Sequence, residues 1–260
     1  MPILEGKRAL VAGIASKRSI AWGIARCFHR EGAEVALSAL PGRMLERAEA
    51  FAPEIDAPFC LGMDVSSDES IAEAFAQLKE SWPKLDILVH SIAFAPGDNL
   101  KGDFADSVSR DGFRIAHDIS AYSFAALARA AAPLMADGGT LLTLSYSGST
   151  RAVQNYNVMG PAKASLEAVT RALAMDLGKK GIRVNALSPG PVKTLSAAGI
   201  PNFRKMLHHY EAAAPLRRNV TLDEVGNAAV FLCSEMASGI TGVVLQVDAG
   251  MGAVGLSFPE

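Results

Sequence analysis

Apolar residues along this chain fall into short unbroken runs, separated by longer stretches in which they recur every three or four positions. The short runs are Arg8 to Gly13 (RALVAG), Glu34–Ala39, Pro58–Met63, Asp86–His90, Thr140–Ser145, Gly181–Leu187 and Gly242–Val247. Continuous rather than alternating apolar runs predict strands buried on both faces of a sheet. The longer stretches predict helices over Ile20–Arg30, Met44–Phe51, Asp68–Ser81, Gly112–Met135, Val158–Lys179, Asn202–Tyr210 and Leu222–Met236, with Gly138 and Gly139 stopping the fourth. Strands that alternate with helices imply βαβ units and a parallel sheet covered on both sides. The expected fold class is therefore α/β: one Rossmann-type, doubly wound parallel sheet of about seven strands in a single domain over residues 1–260. No repeat, low-complexity tract or linker interrupts it. Two polar or Gly/Pro-containing stretches, Phe94–Arg110 and Pro189–Pro201, are the expected mobile loops over a site.

Composition narrows the function classes. With 260 residues, half of them hydrophobic and a fifth charged, the chain can bury a large core. A net charge of −2 argues against non-specific nucleic-acid binding. Cys27, Cys60 and Cys233 are odd in number and form no CxxC, so reduced, buried thiols and a cytoplasmic location are expected. No secretory signal opens the chain and no run of eighteen apolar residues occurs, so no membrane partner is expected. No His/Cys cluster has metal-ligand spacing, and the adjacent His208 and His209 would face different sides of a helix.

Candidate chemistry centres on Leu141–Lys163, which reads as a strand, a loop with Tyr146, then Tyr156 and a helix carrying Lys163. Seven residues separate Tyr156 from Lys163. On an α-helix that is about two turns, which puts both on nearly one face, roughly 10 Å apart along the axis. A phenol there can donate to an oxygen that becomes negative, while the ammonium holds a ribose. A surface lysine and a half-buried tyrosine sharing a helix by accident is the plain alternative. After the first strand comes a turn with Gly13, Ser19, Ile20 and Gly23. Its free N–H groups and the positive helix end suit a pyrophosphate, although the full GxGxxG is absent. Gly23 is expected to permit close helix–sheet packing. An ordinary βα turn with a serine cap is equally compatible with these residues. The second strand ends in Ser38-Ala39-Leu40 without the acid that usually grips the adenosine ribose. Arg43 could meet a 2′-phosphate or simply face solvent. Asp64 and Val65 are placed for the adenine edge, and Asp64 could equally start the next helix.

Together these pieces resemble the short-chain dehydrogenase/reductase superfamily and, within it, the enoyl-(acyl-carrier-protein) reductases of bacterial type II fatty-acid synthesis. Tyr156-x6-Lys163 replaces the common Tyr-x3-Lys, with Gly160 where that lysine would stand. Gly13-x5-Ser19-Ile20-x2-Gly23 replaces TGxxxGxG, and His90-Ser91-Ile92-Ala93-Phe94-Ala95-Pro96 replaces Asn-Ala-Gly. The segments Ile115–Phe124, Asn155–Gly160, Arg183–Ala186, Gly190–Leu195 and Phe203–Met206 are also similar to this family. The resemblance implies NADH-dependent reduction of a trans-2-enoyl thioester, with enoyl-acyl-carrier-protein as partner. Arg43 keeps NADPH open. It implies that Tyr156 stabilises the enolate, that Lys163 binds the nicotinamide ribose, and that Tyr146 borders the acyl pocket. Gly13, Ser19, Ile20, Leu40, Asp64, Val65, Ser91, Ile92 and the run Val192, Lys193, Thr194, Leu195 and Ser196 would line the dinucleotide. Ala95 would contact substrate through its backbone, and a loop around 189–212 would close over the acyl chain. Phe94, Met159, Ile200, Phe203 and Met206 could wall the acyl pocket or be plain core. The resemblance further implies a homotetramer, consistent with alanine-rich faces on the two long helices. A carbonyl (3-oxoacyl) reductase of the same superfamily and a non-catalytic dinucleotide-binding protein are the competing readings. Pro161 is tolerated if the helix starts near Val158, because a proline in the first turn removes no helical bond.

Overall fold

The computed structural model describes residues 2–194 and 202–255. Seven parallel strands among them form one sheet: β1 (Arg8–Ala12), β2 (Glu34–Ala39), β3 (Cys60–Gly62), β4 (Ile87–His90), β5 (Gly139–Leu144), β6 (Ile182–Pro189) and β7 (Val244–Val247). Their order is β3-β2-β1-β4-β5-β6-β7. The order reverses between β1 and β4, and the crevice beyond the carboxyl ends of those two strands is where such sheets bind ligands. Successive strand residues point to opposite faces. Val11, Leu37, Val89 and Leu142 therefore enter one buried core, while Leu10, Ala36, Leu88 and Leu141 enter the other.

The helices are α1 (Ile20–Arg30), α2 (Arg43–Phe51), α3 (Asp68–Ser81), α4 (Phe104–Ser107), α5 (Arg110–His117), α6 (Ser123–Ala131), α7 (Met159–Gly178), α8 (Phe203–Ala213) and α9 (Leu222–Cys233). Local chemistry explains several ends. Ser19, Ser67 and Ser109 cap α1, α3 and α5 with side-chain oxygens, and Thr221 and Glu224 form a capping box on α9. Among the described residues no helix is long and apolar enough to cross a membrane.

Four expectations are corrected. The stretch Gly112–Met135 is not one helix: α5 and α6 are joined by a π-turn at Asp118–Tyr122, and the run ends in a 3-10 turn at Ala132–Leu134. Phe94–Arg110 is not simply loop, since it holds a 3-10 turn at Gly97–Leu100 and the short α4. The Asn99 amide ties these together by donating to the Ser107 carbonyl and Ser109 Oγ. Gly23 serves helix–helix rather than helix–sheet packing: a Cβ there would lie 2.9 Å from Leu222 Cβ on α9, and one at Gly226 would lie 2.9 Å from the Gly23 carbonyl. Of the three free cysteines, Cys27 and Cys233 are buried but Cys60 is only half-buried.

Arg183 on β6 locks α9 to the sheet. Its guanidinium donates to the carbonyls of Leu232, Ser234 and Ile240 and to Thr140 Oγ1. A cation among the last carbonyls of a helix is favourably placed against its dipole. Arg183→Met is expected to cost about 2–4 kcal/mol, because it leaves partly buried carbonyls without donors. Urea melts of the two proteins check this, and a loss below about 1 kcal/mol would mean that water satisfies those carbonyls instead.

Candidate active site

The first turn closes as a cradle. Gly13 has φ +102°, and a Cβ there would lie 2.2 Å from the Ser91 carbonyl and 3.0 Å from the Ile92 side chain. Glycine is therefore what lets β1 and β4 approach at the switch point. The amides of Gly13 and Ile14 are not free for a phosphate, as the turn chemistry implied; both donate to the Ser38 carbonyl. The amides of Ile20 and Ala21 at the start of α1 are among the donors that remain. Ser19 Oγ accepts from Trp22 N at 3.3 Å and its own hydroxyl donates to the Ser16 carbonyl, so it shapes the helix end. The first helical amides have no intrahelical acceptor and carry the positive end of the dipole.

Around this cradle the dinucleotide candidates spread along the carboxyl edge of the sheet. Val65 is buried and Leu40 is 46% exposed. Asp64 does not cap α3, a role that Ser67 takes; its Oδ1 accepts from Ser66 N and Oγ instead. Arg43 is the exposed first residue of α2. Val192 packs on the core, and Lys193 and Thr194 line a cavity of about 560 Å³ with Arg18, Phe203 and Arg204. Arg18, Lys193 and Arg204 give that cavity a cationic rim. Leu195, Ser196 and Ile200 lie outside the described residues.

Tyr156 is not on a helix. It occupies a turn between Asn155 (φ 62°) and Asn157 (φ 36°), and α7 begins three residues later. Asparagine tolerates this left-handed backbone better than most residues. The two-turn argument for Tyr156 and Lys163 is thus replaced by a turn and a helix start. Pro161 falls in the first turn of α7, where it needs no donor, and the helix is not broken. The turn brings the Tyr156 ring edge-on to Tyr146, with centroids 4.9 Å apart. Gly148 makes room for both: a Cβ there would lie 2.5 Å from Tyr156 Cδ1 and 3.4 Å from Tyr146 Cδ1. Tyr156 and Ala95 pack on the same small apolar cluster of Ala116, Val158, Met159 and Ala162. Of the proposed acyl-wall residues, Met159 belongs to this cluster, Met206 Sδ lies 3.4 Å from the Tyr146 hydroxyl, and Phe94 is 53% exposed.

Lys163 is 4% exposed, and its Nζ donates to the Leu144 carbonyl at the end of β5, 2.7 Å away. One bond leaves a desolvated ammonium with two N–H groups to offer, which fits a ribose diol. Burial pushes this lysine down to about 8, against a partial upward pull from Glu167. The phenols of Tyr146 and Tyr156 are both driven upward by burial, and Tyr210 adds to the effect on Tyr146. Loss of hydration thus keeps Tyr156 a protonated donor. His90 is fully buried between Thr143 Oγ1 and Ser123 Oγ, and burial lowers it to about 3, so it stays neutral.

Several contributors carried no sequence signal. Ser120, in the π-turn, clasps the Phe94 backbone from both sides, accepting from its N–H at 3.0 Å and donating to its carbonyl at 3.1 Å. Tyr210 on α8 places its hydroxyl 3.4 Å from that of Tyr146 and 3.5 Å from Ser147 Oγ. Gly148, by contrast, was legible as the one glycine in the Ser-Gly-Ser turn after β5.

A pH dependence follows from Lys163. As pH rises through about 8 the ammonium is lost, so kcat/KM for the dinucleotide is expected to fall with a one-proton slope. The folded value lies below the ordinary lysine value. Between the two the unfolded chain binds more protons, so this group's contribution to stability rises with pH there. A pH-rate profile beside a pH series of melts separates the two effects: binding should fade while the fold holds. A flat profile to pH 9.5 would remove Lys163 from the binding step.

Comparison with known proteins identifies the family. The family model for enoyl-(acyl carrier protein) reductase matches residues 13–252. The enoyl-(acyl-carrier-protein) reductase (NADH) of Haemophilus influenzae is 56% identical over 96% of this chain and 95% of its own. The Escherichia coli K12 protein of the same description is 53% identical over 100% and 99%. Among solved structures, the Anaplasma phagocytophilum reductase in complex with NAD superposes with a TM-score of 0.95 at 44% identity, covering 98% of this chain and 97% of that one. The Bacillus cereus reductase with NADP+ and indole naphthyridinone gives 0.96 at 47% identity, covering 98% and 100%. With a parallel sheet open at its switch point, a buried lysine at the end of β5 and these full-length matches, the chain belongs to the enoyl-(acyl carrier protein) reductase family.

Proposed function

We propose that this protein reduces trans-2-enoyl thioesters of acyl carrier protein with NADH, in the course of fatty-acid elongation. One observation carries the reading: the Lys163 ammonium at the Leu144 carbonyl lies on the same strand end that presents Tyr146 against Tyr156. NADH, when bound, supplies hydride to the β-carbon of the enoyl group. Negative charge then moves to the thioester oxygen, Tyr156, held protonated by its surroundings, donates to that oxygen, and a proton drawn from solvent to the α-carbon completes the reduction. A donor whose bond strengthens as charge develops lowers the barrier more than it tightens binding. Lys163 holds the ribose hydroxyls, and the open amides of α1 take the pyrophosphate beside the cationic rim of Arg18 and Lys193. Gly13, Ser19, Ile20, Leu40, Asp64, Val65, Ser91, Ile92, Val192 and Thr194 line the dinucleotide. Tyr146 and Ala95 border the acyl chain, and Met206 and Tyr210 of α8 stand against the Tyr146 hydroxyl.

One domain holds both ligands in this reading. A homotetramer and a cytoplasmic location belong to the same proposal. Support for the first comes from the alanine-rich faces of α6 and α7, and for the second from three cysteines that are all unpaired.

The test is loss of absorbance at 340 nm with crotonyl and longer enoyl thioesters, run with NADH and with NADPH, and beside acetoacetyl thioester. Oxidation of NADH by the enoyl substrates alone is expected. Turnover of acetoacetyl thioester instead would favour a carbonyl reductase, and dinucleotide binding without any turnover a silent binding protein. Use of NADPH only would keep the reaction and place Arg43 at a 2′-phosphate.

A further inference from the structure

One buried charged group has no part in the chemistry above. Glu167 lies on α7 one turn beyond Lys163 and is 7% exposed. Residues four apart on a helix share a face. Both side chains point at the end of β5, and they grip successive residues of it. Lys163 Nζ donates to the Leu144 carbonyl at 2.7 Å, and Glu167 Oε1 accepts from Ser145 Oγ at 2.5 Å. Ser145 is itself buried, its amide donates to the Leu187 carbonyl on β6, and Tyr146 follows it directly. We propose that Glu167 is the positioning residue of the site, the buried counter-charge of Lys163 and the anchor of the strand end that presents Tyr146. This rests on the reading that Lys163 holds the cofactor's ribose.

The physical case is one of isolation. An ammonium withdrawn from water is costly unless an opposite charge stands near it. The titratable groups coupled to Lys163 come from two elements. His90 on β4 is neutral, and its protonated form is disfavoured by Lys163 itself. Glu167, on α7, is the one neighbour that favours the charged lysine. A serine hydroxyl donating to a buried carboxylate holds that oxygen in place and orients the pair. Glutamine at 167 keeps the length, the acceptor and the bond to Ser145, and removes only the charge.

The test compares wild type, Glu167→Gln and Glu167→Asp by two readouts. The first is the titration of Lys163, followed by NMR of the ¹³Cε-labelled side chain in the intact protein and assigned with Lys163→Arg. The second is the pH profile of kcat/KM for NADH. In Glu167→Gln the lysine is expected to titrate about one pH unit lower, since a lost neighbouring charge commonly shifts a partner by that much. The alkaline limb for NADH should move with it, so that the deficit grows about sixfold between pH 6.5 and 8.5. Glu167→Asp, which keeps the charge, should recover most of the shift. A Lys163 titration that stays in place in Glu167→Gln overturns the proposal. So does an equal deficit at every pH, which is the mark of a purely structural role. A titration that moves while the NADH profile does not would uphold the counter-charge and overturn the reading of Lys163 as the ribose ligand. If Glu167→Gln fails to fold, Glu167→Asp decides: a wild-type Lys163 titration supports the charge, and one shifted by a full unit overturns it.

Discussion

Tyr156→Phe is expected to lower kcat for an enoyl thioester by about 10²–10³-fold, the usual cost of removing one donor aimed at a developing oxyanion. The phenol is suited to this because burial holds its proton and leaves it a donor at any pH the enzyme meets. The substitution keeps the ring that packs on Tyr146 and on the Ala95, Val158 and Met159 cluster, so the turn has no reason to move. NADH affinity should therefore stay within about threefold of wild type, as expected of a group that acts in the transition state only. Single-turnover rates with saturating NADH, beside a fluorescence titration of the cofactor, separate the two effects. A kcat within threefold of wild type would remove Tyr156 from the proposed role. Parallel loss of turnover and NADH binding would point to a collapsed turn instead.

Lys163→Ala should act on the other ligand. It removes a buried charged donor, and hydrogen bonds to charged groups contribute about 1.5–3 kcal/mol each, so NADH affinity should fall about 10–100-fold. It also leaves the Leu144 carbonyl without its donor and Glu167 without its neighbouring cation, so some stability is lost as well. Lys163→Arg is the control: it keeps a charge but brings a planar fork too large for the buried site, and should recover stability better than affinity. Isothermal titration with NADH measures the first effect and a thermal melt the second. Unchanged affinity in a folded Lys163→Ala protein would sink the assignment.

Most of the fold was legible because local chemistry and burial pattern agree. Helix α1 begins at the predicted Ile20, where Ser19 caps it, and α3 spans the predicted Asp68–Ser81 behind Ser67. The strands of a sheet buried on both faces stand out as apolar runs, and β2 falls on the predicted residues. What was hidden is of another kind. A π-turn adds one residue to a helical repeat without breaking the apolar pattern, so periodicity alone cannot see the bend at Asp118–Tyr122. Its result, Ser120 clasping the Phe94 backbone, joins residues 26 apart in sequence. The Tyr156 turn did have a signal, the Asn-Tyr-Asn triplet, but the seven-residue spacing to Lys163 invited a helical reading. Packing between helices was assigned to the wrong neighbour at Gly23, since a glycine shows that something comes close and not what comes close.

The strand order has a kinetic meaning. The switch point is made by the carboxyl ends of β1 and β4, and at their amino ends Arg8 N donates to Asp86 Oδ2 across 78 positions of sequence. Closing so long a loop costs entropy before any contact offsets it, and sheets built this way fold slowly. On a ribosome, β1 must wait for some eighty residues before its inner edge is covered. The crevice for NADH exists only after that pairing, so the dinucleotide has nothing to bind in a half-made chain. It should slow unfolding far more than it speeds folding.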